Sequence, residues 1–75
     1  MTIAVVKKHS VIINGHQTSI SLEEPFFKAL REIAVSHEKS VAELVTEIDR
    51  GREVGNLSSA VRVYVLAHYQ RRTSD

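Results

Sequence analysis

The dipeptide Asn14-Gly15 separates two short segments rich in valine, isoleucine and threonine. Asparagine and glycine both tolerate the positive φ angles of a type I′ turn, so this pattern predicts a β-hairpin with a two-residue loop. Strand pairing then begins with Ile13 opposite His16 and continues outward along both strands. We expect the hairpin to cover about residues 9–22.

Successive side chains of a strand point to opposite faces, which gives this hairpin one apolar and one mostly polar face. The apolar face carries Val11, Ile13, Thr18, Ile20 and Leu22. The polar face carries Lys8, Ser10, Ile12, Gln17, Ser19 and Ser21. Such alternation is typical of a sheet that packs on a core with one side only.

Two helices are expected after the hairpin, joined by a tight turn. Pro25 is tolerated only in the first turn of a helix, and it places the first helix at residues 24–37. Residues 40–43 form a capping box, in which the serine and glutamate side chains each bond the other's backbone amide. The second helix is therefore expected at residues 41–51.

A third helix is expected at residues 57–72, with Asn56 as its N-cap. Its apolar residues lie on more than one face, so they are too many for one small subunit to cover. At helical spacing these are Leu57, Ala60, Val61, Tyr64 and Val65, with Val63, Leu66 and Tyr69 on other faces.

The chain is too short for two domains, and we expect one over residues 1–75. A domain of this size buries only about 60% of the surface that its unfolded chain exposes, so it usually needs further stabilisation. The sequence has no cysteine, which excludes disulfides and thiolate zinc sites. An obligate homodimer is the remaining solution, and in a monomer Ile20 and Tyr64 are expected to lack cover.

Composition limits the class of protein. Hydrophobic residues make up 43% and charged residues 25%, which argues against disorder. No apolar stretch is long enough to span a membrane and the first residues lack a signal-peptide pattern, so a cytoplasmic location is expected. The net charge is only +1, whereas nucleic-acid binders are usually strongly basic. Charge alone leaves DNA binding undecided.

An enzyme is not expected, because the chain has no glycine-rich phosphate loop and no arrangement of nucleophile and base. The four histidines are not spaced as pairs of metal ligands. We therefore expect no metal, no cofactor and no small-molecule substrate.

The order of strand, helix, tight turn and helix between about Gln17 and Ile48 resembles the ribbon-helix-helix repressors. The preceding hairpin strand and the trailing helix that starts at residues 56–60 resemble a small bacterial subfamily of these proteins. Glu38 departs from the pattern, since the family usually has glycine in this turn. The resemblance rests on Ile20, Leu22, Phe26, Phe27, Leu30, Ile33, Ala34, Ser40, Glu43, Leu44, Val45 and Ile48.

The resemblance implies a mostly α fold with a short β-ribbon, formed as an intertwined homodimer whose strands pair antiparallel between subunits. It also implies a sequence-specific transcription regulator, a repressor, whose ribbon enters the major groove of double-stranded DNA. The base-contacting residues would be Gln17, Ser19 and Ser21. Gln17 suits this role best, because a carboxamide can bond bidentately to adenine.

The N-terminus of the second helix is a potential anion site, because free amides and the positive end of the helix dipole favour a phosphate there. The resemblance implies the same site. The phosphate-contacting residues would be Lys39, Ser40, Val41 and Lys28. The dimer core would consist of Ile20, Leu22, Phe27, Leu30, Leu44, Ile48, Val61 and Tyr64.

Alternatives remain open for these residues. The polar strand residues are also explained as a solvated sheet face, and Ser40 by capping alone. If the strand pairs both with its hairpin neighbour and with its copy, the ribbon has four strands and does not fit a groove about 12 Å wide. The first strand then lies outside the groove, or DNA is contacted differently. The alternative function is a homodimeric protein–protein interaction module, or an antitoxin-like protein, without DNA readout.

Overall fold

The computed structural model describes residues 5–52 and 55–73, so the ends of the predicted 1–75 domain lie outside the described residues. The hairpin is longer than predicted, and each helix begins and ends within one residue of its expected bounds. The elements are strands β1 (Val6–Ile13) and β2 (His16–Glu23), followed by helices α1 (Glu24–Ser36), α2 (Val41–Gly51) and α3 (Leu57–Thr73).

The two strands form an antiparallel hairpin whose register runs from Ile13 opposite His16 to Val6 opposite Glu23. This confirms the predicted pairing. Asn14 and Gly15 adopt φ angles of 52° and 79° in the loop, as a type I′ turn requires. A Cβ atom on Gly15 would meet nothing within 4 Å, so the backbone angle and not lack of space favours glycine there.

All three helices pack against the hairpin and one another, and one continuous core results. Ile20 is only 1% exposed, so the expectation that it lacks cover within one chain is wrong. The helices of its own subunit cover it, while Tyr64 is half-buried. The core residues are Val11, Ile13, Ile20, Leu22, Leu30, Ile33, Ala34, Leu44, Val45, Ile48, Val61 and Val65.

The residues predicted for a dimer core therefore have cover within a single chain. Phe27 and Tyr64 are half-buried, and the remaining six are buried. Pairing of strands or helices between two copies stays a prediction. The six buried residues are Ile20, Leu22, Leu30, Leu44, Ile48 and Val61.

The turn between α1 and α2 is closed by backbone hydrogen bonds from residues 37–39 to carbonyls of the last turn of α1. Glu38 has a φ of 57°, in the left-handed region that glycine adopts most easily. The turn thus has a geometry that glycine favours, although a glutamate occupies the position. Within the described residues no helix is both long and apolar enough to span a membrane.

Candidate nucleic-acid interface

The side of the hairpin that faces away from the core is mostly polar and open to solvent. Gln17 and Ser19, two of the predicted base-contacting residues, are exposed on it. None of the described residues forms a hydrogen bond with the Gln17 carboxamide, so its donor and acceptor are available to a ligand. The neighbouring strand contributes Lys8, Ser10 and Ile12 to the same exposed face.

Ser21 differs from the other two predicted base-contacting residues, because α3 lies against it. Its backbone amide donates a hydrogen bond of 3.0 Å to the hydroxyl of Ser58. Its carbonyl accepts a bond of 3.5 Å from Nη2 of Arg62. Ser21 is therefore half-buried and less accessible than Gln17 and Ser19.

The outer edge of β2 is only partly covered. With a two-residue loop, the backbone groups of Gln17, Ser19 and Ser21 point away from β1, because these residues lie in the non-hydrogen-bonded pairs of the hairpin. The sheet has two strands, and Ser58 occupies the edge at Ser21. The backbone of Gln17 and Ser19 is thus the free part of this edge.

The start of α2 is closed by the predicted capping box. The Ser40 hydroxyl accepts a hydrogen bond of 3.1 Å from the Glu43 amide, and the Glu43 carboxylate accepts one of 2.8 Å from the Ser40 amide. Both polar groups of Ser40 are therefore engaged. The amides of Val41 and Ala42 have no acceptor within the helix, and they remain for an anion.

Negative charge flanks this helix start. The backbone amide and then the hydroxyl of Ser40 lower the pKa of Glu43 below its ordinary value, with help from the charge of Lys39 and against partial desolvation. Glu43 is therefore ionised at neutral pH. Lys39 itself forms an ion pair with Glu47, so its positive charge is partly compensated.

Lys28 lies apart from the other predicted phosphate contacts. It is exposed on α1, beside a hollow of about 370 Å³ that it lines with Arg31, Glu32 and Val35. Within residues 5–52 and 55–73, no ion pair or hydrogen bond joins Lys28 to the start of α2. The structure does not group it with Lys39, Ser40 and Val41.

A groove connects the hairpin with the start of α2. Its volume is about 460 Å³, and it brings Gln17 of the hairpin to the same depression as Val41 of α2. A predicted base contact and a predicted phosphate contact thus share one surface. The groove is mostly apolar and has no charged residue in its lining, which consists of Ser10, Val11, Ile12, Gln17, Phe27, Val41 and Ala42.

Sequence reasoning missed the residues of α3 that hold the strand edge. Arg62 donates from Nε to the Glu23 carboxylate at 2.9 Å, one helical turn after the contact of Ser58 with Ser21. Ser58 and Arg62 are four residues apart, which places them on one helix face. This spacing is the one sequence feature that could have indicated their shared contact. Nothing in that spacing shows which surface the face contacts.

The packing of His9 against α1 was also not predicted. Its ring stacks on Phe27, with the ring centroids 3.7 Å apart and an interplanar angle of 3°. Its Nε2 atom lies 3.5 Å from the Glu24 carboxylate. The contact fastens β1 to the first turns of α1. In the part of the chain that the structure describes, no group of three or more histidine or acidic residues is placed to hold a metal ion.

The chain forms a two-stranded antiparallel ribbon, followed directly by two helices joined by a tight turn, and this order is compatible with a ribbon-helix-helix fold. The family model described as ribbon-helix-helix domain matches residues 6–69, and the chain belongs to this family. No curated protein and no solved structure matches it. Proteins of this family generally bind DNA as transcription regulators, typically as homodimers, and are generally not enzymes.

Proposed function

We propose that this protein is a sequence-specific DNA-binding transcription regulator, a repressor, which acts as a homodimer with its β-ribbon in the major groove. The observation that carries the proposal is the shared surface of the hairpin and the α2 start, where Gln17 and Val41 line one groove. An exposed carboxamide and free helix amides are the groups that contact base edges and phosphates.

In this proposal the hairpin of a single chain serves as the ribbon, in place of the predicted pairing of strands between two subunits. The major groove, about 12 Å wide, admits a two-stranded ribbon. Strands lie about 4.8 Å apart, so a four-stranded sheet made from two hairpins spans roughly 14 Å between its outer strands and does not fit. Each hairpin of the dimer would therefore enter a groove of its own, at one of two half-sites.

Base reading would depend mainly on Gln17. Its side chain is exposed, and a bidentate contact with adenine discriminates against other bases by about 1–3 kcal/mol. The Ser19 hydroxyl would add a contact with little base preference, because it can donate to or accept from several bases. Ser21 would contribute least, because α3 covers the strand edge at that residue.

Phosphate binding would depend on backbone amides more than on lysines. The amides of Val41 and Ala42 would donate to a phosphate oxygen. Lys39 would add positive charge, although its ammonium also forms an ion pair with Glu47. Ser40 would act by capping the helix, which holds those amides in position. Lys28 would reach only a phosphate that passes along α1.

The homodimer would be held by apolar surface that one chain leaves open. Val63 and Leu66 on α3 are 65% and 54% exposed. Beside them a groove of about 570 Å³ separates α2 from α3, and Ile48, Ala60 and Val63 contribute to its lining. A second copy that covers this surface would remove apolar area from water and stabilise both chains.

A second candidate function is a homodimeric protein–protein interaction module or antitoxin-like protein. The apolar lining of the groove beside Gln17 favours it, as does Ile12, which is 62% exposed on the outer face of the hairpin. Lys8 is the one cation on that face among residues 6–23. In this role the groove would take an apolar segment of a partner protein.

The salt dependence of DNA binding separates the two functions. Fluorescence anisotropy would measure the affinity of the intact chain for a random duplex between about 50 and 200 mM salt. A symmetric dimer that holds about two phosphates in each subunit should show a log–log slope near −3.6. Absence of binding at low salt, with a dimer present in solution, contradicts the DNA-binding proposal and favours the interaction module.

A further inference from the structure

A further pocket lies between the end of α1 and the C-terminal half of α3. Its volume is about 380 Å³, which is within the usual range for sites of small ligands. It shares no residue with the groove beside Gln17, and it shares Tyr64 alone with the groove between α2 and α3. The lining consists of His37, Tyr64, Ala67, His68, Arg71 and Arg72.

The charges of this pocket are all of one sign. Four of its six lining residues carry or can acquire a positive charge, and none is acidic. In the described part of the chain, neither Arg71 nor Arg72 forms an ion pair, whereas Lys39, Arg52 and Arg62 each do. Like charges in a concave site concentrate the field and attract an anion.

The two imidazole rings that line the pocket lie close to each other. The His37 and His68 ring centroids are 6.0 Å apart, and His68 meets Tyr69 edge-on at 5.1 Å. Desolvation and then the charges of Arg72, His37 and Arg71 lower the pKa of His68. From α1, Glu32 is the acid that reaches this region, at 3.5 Å from the Tyr69 hydroxyl.

Helix-end electrostatics explain part of this arrangement. Arginines in the last turn of α3 interact favourably with the negative end of its dipole. The end of α1, however, is closed by backbone amides of the turn, so the His37 side chain is not needed there. The dipole accounts for neither the pocket nor the approach of His37 to His68.

We propose that this pocket binds the phosphoryl group of a small phosphorylated ligand. Arg71 and Arg72 would donate to the phosphate oxygens, because a guanidinium matches the geometry of this anion. His37 and His68 would donate as further cations when protonated, and Tyr64 would contact the remainder of the ligand. The site does not depend on DNA binding, so either proposal can fail without the other.

Titration of the histidine signals by NMR tests this site. The intact chain would be titrated with inorganic phosphate and with pyrophosphate at about pH 6 in a buffer without phosphate, and with sodium chloride at equal ionic strength. We expect saturable shifts of the His37 and His68 signals with both phosphates, and the His68 signal should move toward its protonated position. Chloride should produce neither effect.

Two double variants distinguish a site from a general effect of net charge. Arg71→Gln with Arg72→Gln should weaken pyrophosphate binding by roughly tenfold or more. Arg31→Gln with Arg50→Gln removes the same charge elsewhere and should leave the affinity nearly unchanged. Both pairs of arginines are exposed, so circular dichroism should report a folded protein in each case.

Several results would overturn the proposal. Shifts that do not saturate, or that match those with chloride, indicate an adventitious ion atmosphere. Equal losses in the two double variants indicate net charge alone. Shifts with a random DNA duplex but not with pyrophosphate indicate a contact with the DNA backbone instead of a small ligand. The titration of the unmodified chain decides the matter even if a variant fails to fold.

Discussion

Arg62 donates a hydrogen bond of 2.9 Å from Nε to the carboxylate of Glu23, and this bond joins α3 to the last residue of β2. It is the largest cause of the lowered pKa of Glu23, which lies below its ordinary value of 4.5. The contact fixes α3 along the outer edge of the hairpin, and the ribbon keeps a defined position relative to the helices.

In the Arg62→Met variant, the free energy of unfolding should therefore depend less on pH in the acidic range. Since the folded-state pKa of Glu23 is lowered, its contribution to stability is complete above about pH 4.5 and is lost as the pH falls through the folded-state value. Urea unfolding should show a lower midpoint for the variant at pH 7 and a smaller difference at pH 3. Arg50→Met, at an exposed position of α2, is the control. An equal loss at both pH values contradicts the account.

The two faces of the hairpin should respond differently to one substitution. Ile20→Thr places a hydroxyl in the core and removes buried apolar volume, which should cost about 3 kcal/mol of unfolding free energy. Ile12→Thr changes the same residue type on the exposed face and should cost less than about 0.5 kcal/mol. Chemical denaturation measures both. Similar losses would mean that the hairpin does not pack on the core as described.

Glu43→Gln should strengthen DNA binding. Glutamine can still accept the hydrogen bond from the Ser40 amide, so the capping box remains while the negative charge beside the helix amides is removed. Removing one negative charge from the start of a helix should raise the affinity for DNA about threefold at low salt. Asp49→Asn, which removes the same charge near the other end of α2, is the control. Unchanged binding for Glu43→Gln would remove the α2 start from the interface.

Stability should rise with pH because of His68. Its folded-state pKa lies below the ordinary 6.5, so protonation favours the unfolded chain. Its contribution to stability is complete above pH 6.5 and is lost as the pH falls through the folded-state value. His68→Gln should flatten this dependence between about pH 5 and 7. Urea midpoints in buffers free of phosphate measure it, and an unaltered pH profile in the variant contradicts the assignment.

Local features of the sequence predicted much of the fold. Asn14-Gly15 fixes the loop and with it the register of all strand pairs, because loop length and side-chain alternation are local properties. The capping box of Ser40 and Glu43 was predicted for the same reason, since its groups are three residues apart. Pro25, the capping box and Asn56 located the helices to within one residue of their bounds.

Contacts between distant segments were not predictable. Ser21 and Ser58 are 37 residues apart in the chain, and Glu23 and Arg62 are 39 apart. Apolar periodicity identifies Ile20 as a core residue, but it does not indicate whether its own chain or a partner covers it. The expectation that it needs a partner failed for that reason. At the candidate site, the sequence located the helix cap but not the groove between the cap and Gln17.

Selection of preferred duplexes with the unmodified protein and with Gln17→Ala tests the central claim most directly. If the hairpin reads bases in the major groove, the variant should lose about 1–3 kcal/mol of discrimination at one base pair of each half-site. Its affinity for a random duplex should remain nearly the same, which serves as the internal control. An equal loss on selected and random duplexes, or unchanged discrimination, would contradict base reading by the hairpin.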